Sequence, residues 1–292
     1  MFQGSMVALV TPMAADGRVD LAALDALVEW HVAQGTDAIV ALGTTGEASV
    51  VEGDEQLEVL AHCVRIAAGR IPVIAGATSN STAHAVQLSR RAETVGADAV
   101  LSAAPYYNKP GQEGLYRHFR AVAEAISIPL LLYNVPSRTI TDILPETVGR
   151  LAQLPNVKGI KEATGDLKRA ADIRQRCGKD FLLISGDDAT ARAFILEGGR
   201  GVISVTANVA PRLMHEMCKA ALTGDATKAA ALDAELAPLH KALFVESNPI
   251  PVKWALAEMG RIPPGIRLPL TPLAEEHHPA VRAALKAAHA LA

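Results

Sequence analysis

Short apolar, β-branched runs alternate along the chain with longer stretches in which apolar residues recur at helical spacing. The short runs predict strands over Met6 to Val10, Ala38 to Leu42, Val73 to Ala75, Ala99 to Ser102, Leu130 to Tyr133, Val157 to Lys161, Phe181 to Ser185 and Gly201 to Ser204. Helical patterns lie between them over Leu21 to Gln34, Glu55 to Ala68, Ala83 to Val95, Glu113 to Ala125, Pro145 to Leu154 and Leu167 to Arg176. Continuously apolar strands separated by helices read as a parallel sheet buried on both faces, and eight such strands close a (β/α)8 barrel of the TIM type. Asp187 and Asp188 precede the apolar run Ala189 to Leu196 and are expected to cap a helix there. No further strand signal follows Ala210. The expected division is a catalytic barrel over residues 1–224 and a C-terminal helical extension over 225–292, packed on the barrel.

Composition narrows the picture. The 292 residues are 50% hydrophobic and 20% charged, enough for one barrel with added segments. A net charge of −3 and 4% aromatic residues argue against a nucleic-acid surface. No apolar run reaches membrane-spanning length, and Met1 to Met6 lacks the pattern of a signal peptide, so a soluble cytoplasmic protein without a membrane partner is expected. Cys63, Cys177 and Cys218 are odd in number and far apart, and read as buried free thiols. No histidine pair has metal-ligand spacing with a third ligand, His215 and Cys218 included, so no metal is expected.

The chemistry-bearing residues follow the strands. Gly43-Thr44-Thr45-Gly46-Glu47 comes after the second, Pro105 to Pro110 after the fourth and Tyr133 to Arg138 at the end of the fifth. Lys161 to Asp166 closes the sixth, Ser185 to Asp188 the seventh and Ser204 to Asn208 the eighth. In a closed barrel these positions meet at one rim, where barrel enzymes place their chemistry.

Lys161 ends an apolar strand, where an ammonium loses hydration and the neutral amine becomes available to attack a ketone. The resulting iminium is an electron sink. The plainer alternative is a lysine reaching solvent or paired with Glu162. Tyr133 is a candidate acid/base, with Thr44 and Tyr107 as relay hydroxyls; each tyrosine could instead keep its ring in the core and its hydroxyl in water. Thr44 and Thr45, placed before a helix, offer backbone N–H groups to a keto-acid carboxylate. Arg138 is suited to clamp a second carboxylate, the alternative being an unpartnered surface arginine.

The ordered set Gly-Thr-Thr-Gly-Glu, Tyr-Tyr-Asn-Lys-Pro, Tyr-Asn-Val-Pro-x-Arg, Gly-Ile-Lys-Glu-Ala-Thr-Gly-Asp, Ser-Gly-Asp-Asp and Ser-Val-Thr-Ala-Asn resembles the 4-hydroxy-tetrahydrodipicolinate synthase (dihydrodipicolinate synthase) family. The similarity runs on through Glu246 to Lys253. It implies a lyase of diaminopimelate and lysine biosynthesis that condenses pyruvate with L-aspartate 4-semialdehyde. By that resemblance Lys161 forms the Schiff base, Tyr133 carries protons, and Thr44 and Tyr107 complete the relay. Tyr107 is presented by the neighbouring subunit of a dimer, and a homotetramer is expected. Arg138 would hold the aldehyde's carboxylate, Thr45 and the Ile203 backbone would contact pyruvate, and Gly186 would line the pocket. No cofactor is implied.

The resemblance also implies a lysine-binding cleft, here degenerate. Ser49, Asn80 and Tyr106 match it, but His84 stands where sensitive members carry a glutamate, and Gly53 and Gln56 replace histidines. An imidazole cannot supply the anionic half of a desolvated charge pair, so weak or absent inhibition by L-lysine is expected. N-acetylneuraminate lyase and 2-keto-3-deoxy-gluconate aldolase share this chemistry, and Arg138 with Thr44 and Tyr107 favours a carboxylate-bearing aldehyde over a sugar. A non-catalytic ligand-binding barrel is the reading from another class.

Overall fold

Eight parallel strands close on themselves in chain order in the computed structural model, which describes residues 2–291. They are β1 Gly4–Ala8, β2 Ala38–Ala41, β3 Val73–Gly76, β4 Ala99–Ala103, β5 Leu130–Asn134, β6 Val157–Glu162, β7 Leu182–Ser185 and β8 Gly201–Ser204. The helices are α1 Leu21–Gln34, α2 Asp54–Ala67, α3 Thr82–Val95, α4 Gln112–Glu124, the single turn α5 Pro136–Thr139, α6 Pro145–Leu151, α7 Leu167–Cys177, α8 Ala191–Leu196 and α9 Pro211–Leu222. Three more follow the last barrel helix: α10 Ala226–Ala242, α11 Ile250–Glu258 and α12 His278–Ala287. Helix α10 packs on α8 and α9, and α12 on α10 and α11.

Strand alternation builds two cores. Met6, Ala8, Val40, Ile74, Leu101, Leu131, Tyr133, Ile184 and Ile203 fill the barrel. Their sequence neighbours, such as Val7, Ile39, Val100, Leu132 and Val202, pack outward against the helices. Both faces of every strand are thereby covered, which is why the strands read as unbroken apolar runs. Helix ends obey local chemistry. Asp20 and Asp166 accept N-terminal N–H bonds of α1 and α7, and Gly35 and Gly96 end α1 and α3 in left-handed conformation.

Three expectations need correction. The first strand begins at Gly4 and ends at Ala8, two residues earlier than its apolar pattern, because barrel closure pairs Gly4 with Gly201 and Ser5 with Val202. Asp187 accepts from Thr190 N (2.9 Å) and Oγ1 (2.7 Å) just before α8, close to the expected cap. Asp188 does not cap. Its Oδ2 accepts from Val205 N and Thr206 N, both at 3.0 Å, because the chain leaving β8 has buried N–H groups that need a partner. Finally, Cys63 and Cys218 are buried but Cys177, the last residue of α7, is only half-buried. Burial pushes the Cys63 thiol up to about 12, and that of Cys177 up to about 11.

Candidate active site

Lys161 lies in the inward-facing row of β6, because it pairs in register with Tyr133 on one side and Ile184 on the other. Its side chain is buried, and its Nζ sits 4.4 Å from the centre of the Tyr133 ring. Glu162, the neighbour that could have neutralised it, points to the opposite face. There it accepts from Asn134 Nδ2 (3.1 Å), Thr164 N (2.9 Å) and Arg169 Nε (3.1 Å). Arg169 in turn holds both oxygens of Asp142, at 3.1 and 2.8 Å. The Lys161 amine has no ion-pair partner among the described residues. A polar network thus stiffens β5 and β6 from behind while the inner face presents an amine and a phenol side by side.

Gly186 is required by this amine. A Cβ there would stand 2.9 Å from Lys161 Cε and 2.5 Å from Ala163 Cβ. Ile203 is buried one residue beyond Val202, the last β8 residue paired with β7, so its backbone emerges at the rim beside β7.

The loop after β2 differs from what its sequence predicts. Helix α2 begins only at Asp54, so no helix N-terminus lies at Thr44 or Thr45. Residues 43–50 instead form successive turns in which Gly46 and Ala48 N–H groups bond to the Gly43 carbonyl and Glu47 N–H to that of Thr44. The N–H groups of Thr44 and Thr45 donate to no backbone carbonyl among the described residues. These two adjacent amides have no helix dipole behind them. Thr44 is exposed and Thr45 buried.

A segment of the C-terminal helices holds this loop. Asn248 Nδ2 donates to Thr45 Oγ1 at 3.0 Å, and the Asn248 carbonyl accepts from Arg138 Nη2 at 3.3 Å. Lys253, on α11, forms a buried ion pair with Glu47. The other Glu47 oxygen accepts from Arg267 N (3.2 Å), whose guanidinium makes two 2.6 Å bonds to Glu55. Glu47 has φ 54, a left-handed conformation costing roughly 1 kcal/mol that the ion pair holds in place. Burial lowers the Lys253 ammonium below its ordinary value, and the Glu47 charge opposes that shift. In the sequence Glu47 and Lys253 stand out only as parts of motifs; the usable signal was a lysine inside the apolar stretch Ile250 to Leu256.

The remaining candidates lie at the same rim. Arg138 is exposed on α5. Tyr107 has φ 71 and is 87% exposed, so its own chain gives its ring almost no surroundings. Tyr106 and His84 are exposed, as is Ser49, while Asn80 is half-buried and its carbonyl accepts from Asn108 Nδ2 at 2.9 Å. His84 Nδ1 lies 3.4 Å from Ser79 Oγ. No group of three His, Cys, Asp or Glu side chains among the described residues is placed to hold a metal. No helix among them is long and apolar enough to cross a membrane.

Comparison with known proteins agrees with this fold. The model of the dihydrodipicolinate synthetase family matches residues 1–288. The 4-hydroxy-tetrahydrodipicolinate synthase of Methylococcus capsulatus is 62% identical over 291 residues, covering 100% of both chains, and that of Pseudomonas aeruginosa is 59% identical over 292 residues, again covering 100% of both. Among solved structures, the chloride-inhibited dihydrodipicolinate synthase of Acinetobacter baumannii, complexed with pyruvate, superposes with a TM-score of 0.98 at 52% identity over 100% of both chains. A monomeric dihydrodipicolinate synthase variant gives a TM-score of 0.96 at 43% identity, over 99% of this chain and 98% of that one. On full-length sequence and on fold alike, this chain belongs to the dihydrodipicolinate synthetase family.

Proposed function

We propose that this lyase condenses pyruvate with L-aspartate 4-semialdehyde through a Schiff base on Lys161. The observation that carries the reading is a buried lysine with no carboxylate partner, held 4.4 Å from the centre of a buried tyrosine ring at the barrel mouth. An amine without a carboxylate partner has no ion pair to break before it acts as a nucleophile. It attacks the keto carbon of pyruvate, and the carbinolamine expels water to leave an iminium. Loss of a methyl proton then gives an enamine, which adds to the aldehyde carbon of the second substrate. The amine of that substrate closes on the iminium carbon and releases Lys161.

Tyr133 moves protons in these steps, with Thr44 and Tyr107 as relay hydroxyls. The free amides of Thr44 and Thr45, the Thr45 hydroxyl and the Ile203 backbone receive the pyruvate carboxylate and carbonyl region, Gly186 leaves room for the amine, and Arg138 binds the carboxylate of the aldehyde. No cofactor enters, since the iminium is the electron sink. The exposed Tyr107 is completed by a second copy of the chain. The apolar patch of Tyr106, Ile140 and Leu144 around it is the surface such a copy would cover, and a tetramer of two such dimers is the assembly we favour. With His84 in the cleft, L-lysine inhibits weakly or not at all. We place the enzyme in the cytoplasm.

Borohydride reduction in the presence of pyruvate, followed by peptide mass spectrometry, tests the reading. A pyruvate adduct on Lys161 is expected, together with turnover of aspartate semialdehyde and not of sugar aldehydes. An adduct elsewhere, or none, overturns it.

A further inference from the structure

The residue that ties the two substrate-binding elements together is Asn248, which belongs to neither. It stands in the turn before α11, is 6% exposed, and reaches Thr45 with its side chain and Arg138 with its backbone. In the proposed reaction, on which this inference rests, Thr45 holds the carboxylate of the keto acid and Arg138 that of the aldehyde.

We infer that Asn248 is a positioning residue for the pyruvate half of the site, acting by fixing the direction in which the Thr45 hydroxyl donates. A hydroxyl has one proton to give and two lone pairs to receive. Because Asn248 Nδ2 donates to Thr45 Oγ1 at 3.0 Å, one lone pair is occupied and the Thr45 proton stays free for an anion. Were the partner an acceptor, that proton would be consumed inside the protein. The Asn248 side-chain oxygen is sealed from solvent and receives no hydrogen bond among the described residues, so the structure uses this amide only as a donor.

The back of the same segment explains why the geometry is firm. Lys253, one helical turn further on, is locked to Glu47 in the loop that carries Thr45, so the donor and its acceptor belong to two segments clamped at a second point. Arg138 is held through the Asn248 backbone, so replacing the side chain leaves that contact in place.

The test is a double-mutant cycle on the full-length enzyme with N248D and T45V. N248D exchanges the donor for an acceptor of the same shape and adds a negative charge beside an anion site. The half-saturating pyruvate concentration is expected to rise about ten- to hundredfold, in turnover and in borohydride trapping alike. The KM for the aldehyde should stay within about twofold. Lys161 should still be labelled at saturating pyruvate. In the T45V background only the repulsion from the new charge remains, so the N248D penalty on pyruvate affinity should be at least about threefold smaller than in the unmodified background. Equal penalties in both backgrounds, or an unchanged pyruvate response to N248D alone, overturn the inference. If N248D does not fold, N248S carries the same cycle, and coupling to T45V or its absence decides in the same way. Absence of trapping in the unmodified enzyme would defeat the proposed function itself, whereas normal trapping with additive variants defeats only the role of Asn248.

Discussion

Lys161 and Lys253 are both buried, at 7% and 4% exposure, yet their surroundings are opposite. Lys253 meets a carboxylate that has no exposure of its own, and the backbone N–H of Arg267 braces the far oxygen of that carboxylate. Lys161 meets an aromatic face, an isoleucine strand and the gap left by a glycine, while the adjacent glutamate serves a different arginine on the other side of the sheet. Burying a charge is tolerable when it is paired and hydrogen-bonded. The paired lysine therefore uses its charge to hold a loop, and the other has no carboxylate partner among the described residues. Burial alone does not separate these two lysines; the partner does.

The largest effect that would break this contrast lies at Lys161. Lys161→Met should lower turnover by at least about three orders of magnitude, since the other buried lysine among the described residues, Lys253, is held in its ion pair. Its melting temperature should equal or exceed that of the unmodified protein, because an apolar chain of similar shape replaces an unpaired amine. A clear loss of stability in a thermal melt would show that Lys161 has a structural partner after all.

Next in size is the opposite substitution. Lys253→Met should destabilise by about 3–5 kcal/mol in chemical denaturation, the cost of leaving a buried carboxylate without its counter-charge. Glu47→Gln in the same chain should return part of that loss, because it removes the stranded charge. If the double variant is no better than the single one, packing and not charge pairing holds the loop.

The effect that is smallest at neutral pH, and grows only on acidification, sharpens the comparison with buried titratable groups that serve neither purpose. Burial, aided by the Arg261 charge, pulls His31 down to about 3, and burial pulls His118 to about 4. A histidine depressed in the folded state binds its proton less readily than the unfolded chain does, so its stabilising contribution is complete above about pH 6.5 and shrinks as pH falls toward the folded value. Each such group adds a slope of about 1.4 kcal/mol per pH unit across its window. Denaturation midpoints should therefore fall between about pH 6.5 and 4, and His31→Asn should flatten that fall. An unchanged slope would place the acid sensitivity elsewhere.

Much of the fold was legible because strand and helix have different periods and because a sheet covered on both faces needs unbroken apolar strands. The errors fell where tertiary pairing overrode local pattern. Gly4 and Ser5 are not apolar, yet closure onto β8 draws them into a strand. Asp188 looked like a cap from its place in the chain, but its partners are 17 and 18 residues away, on the loop after β8. The helix N-terminus expected behind Thr44 and Thr45 is not there, since the two residues lie in turns and α2 begins only at Asp54. Asn248 stood inside a motif without a signal of its own, because its meaning lies in Thr45, 203 positions earlier.

Residue order alone led to the expectation of eight apolar strands closing a barrel, which the fold shows, and put Lys161, Tyr133, Thr44 and Arg138 at or after strand ends, because strand direction and strand number dictate which chain segments share an end. Which lysine would be paired and which left bare was decided only by folding. That choice depends on contacts between segments far apart in the chain, such as Glu47 with Lys253, and on which face of β6 Glu162 turns toward its arginine. Local pattern records the period of each element; charge pairing across the molecule is a property of the assembled packing, where distance and desolvation are set together.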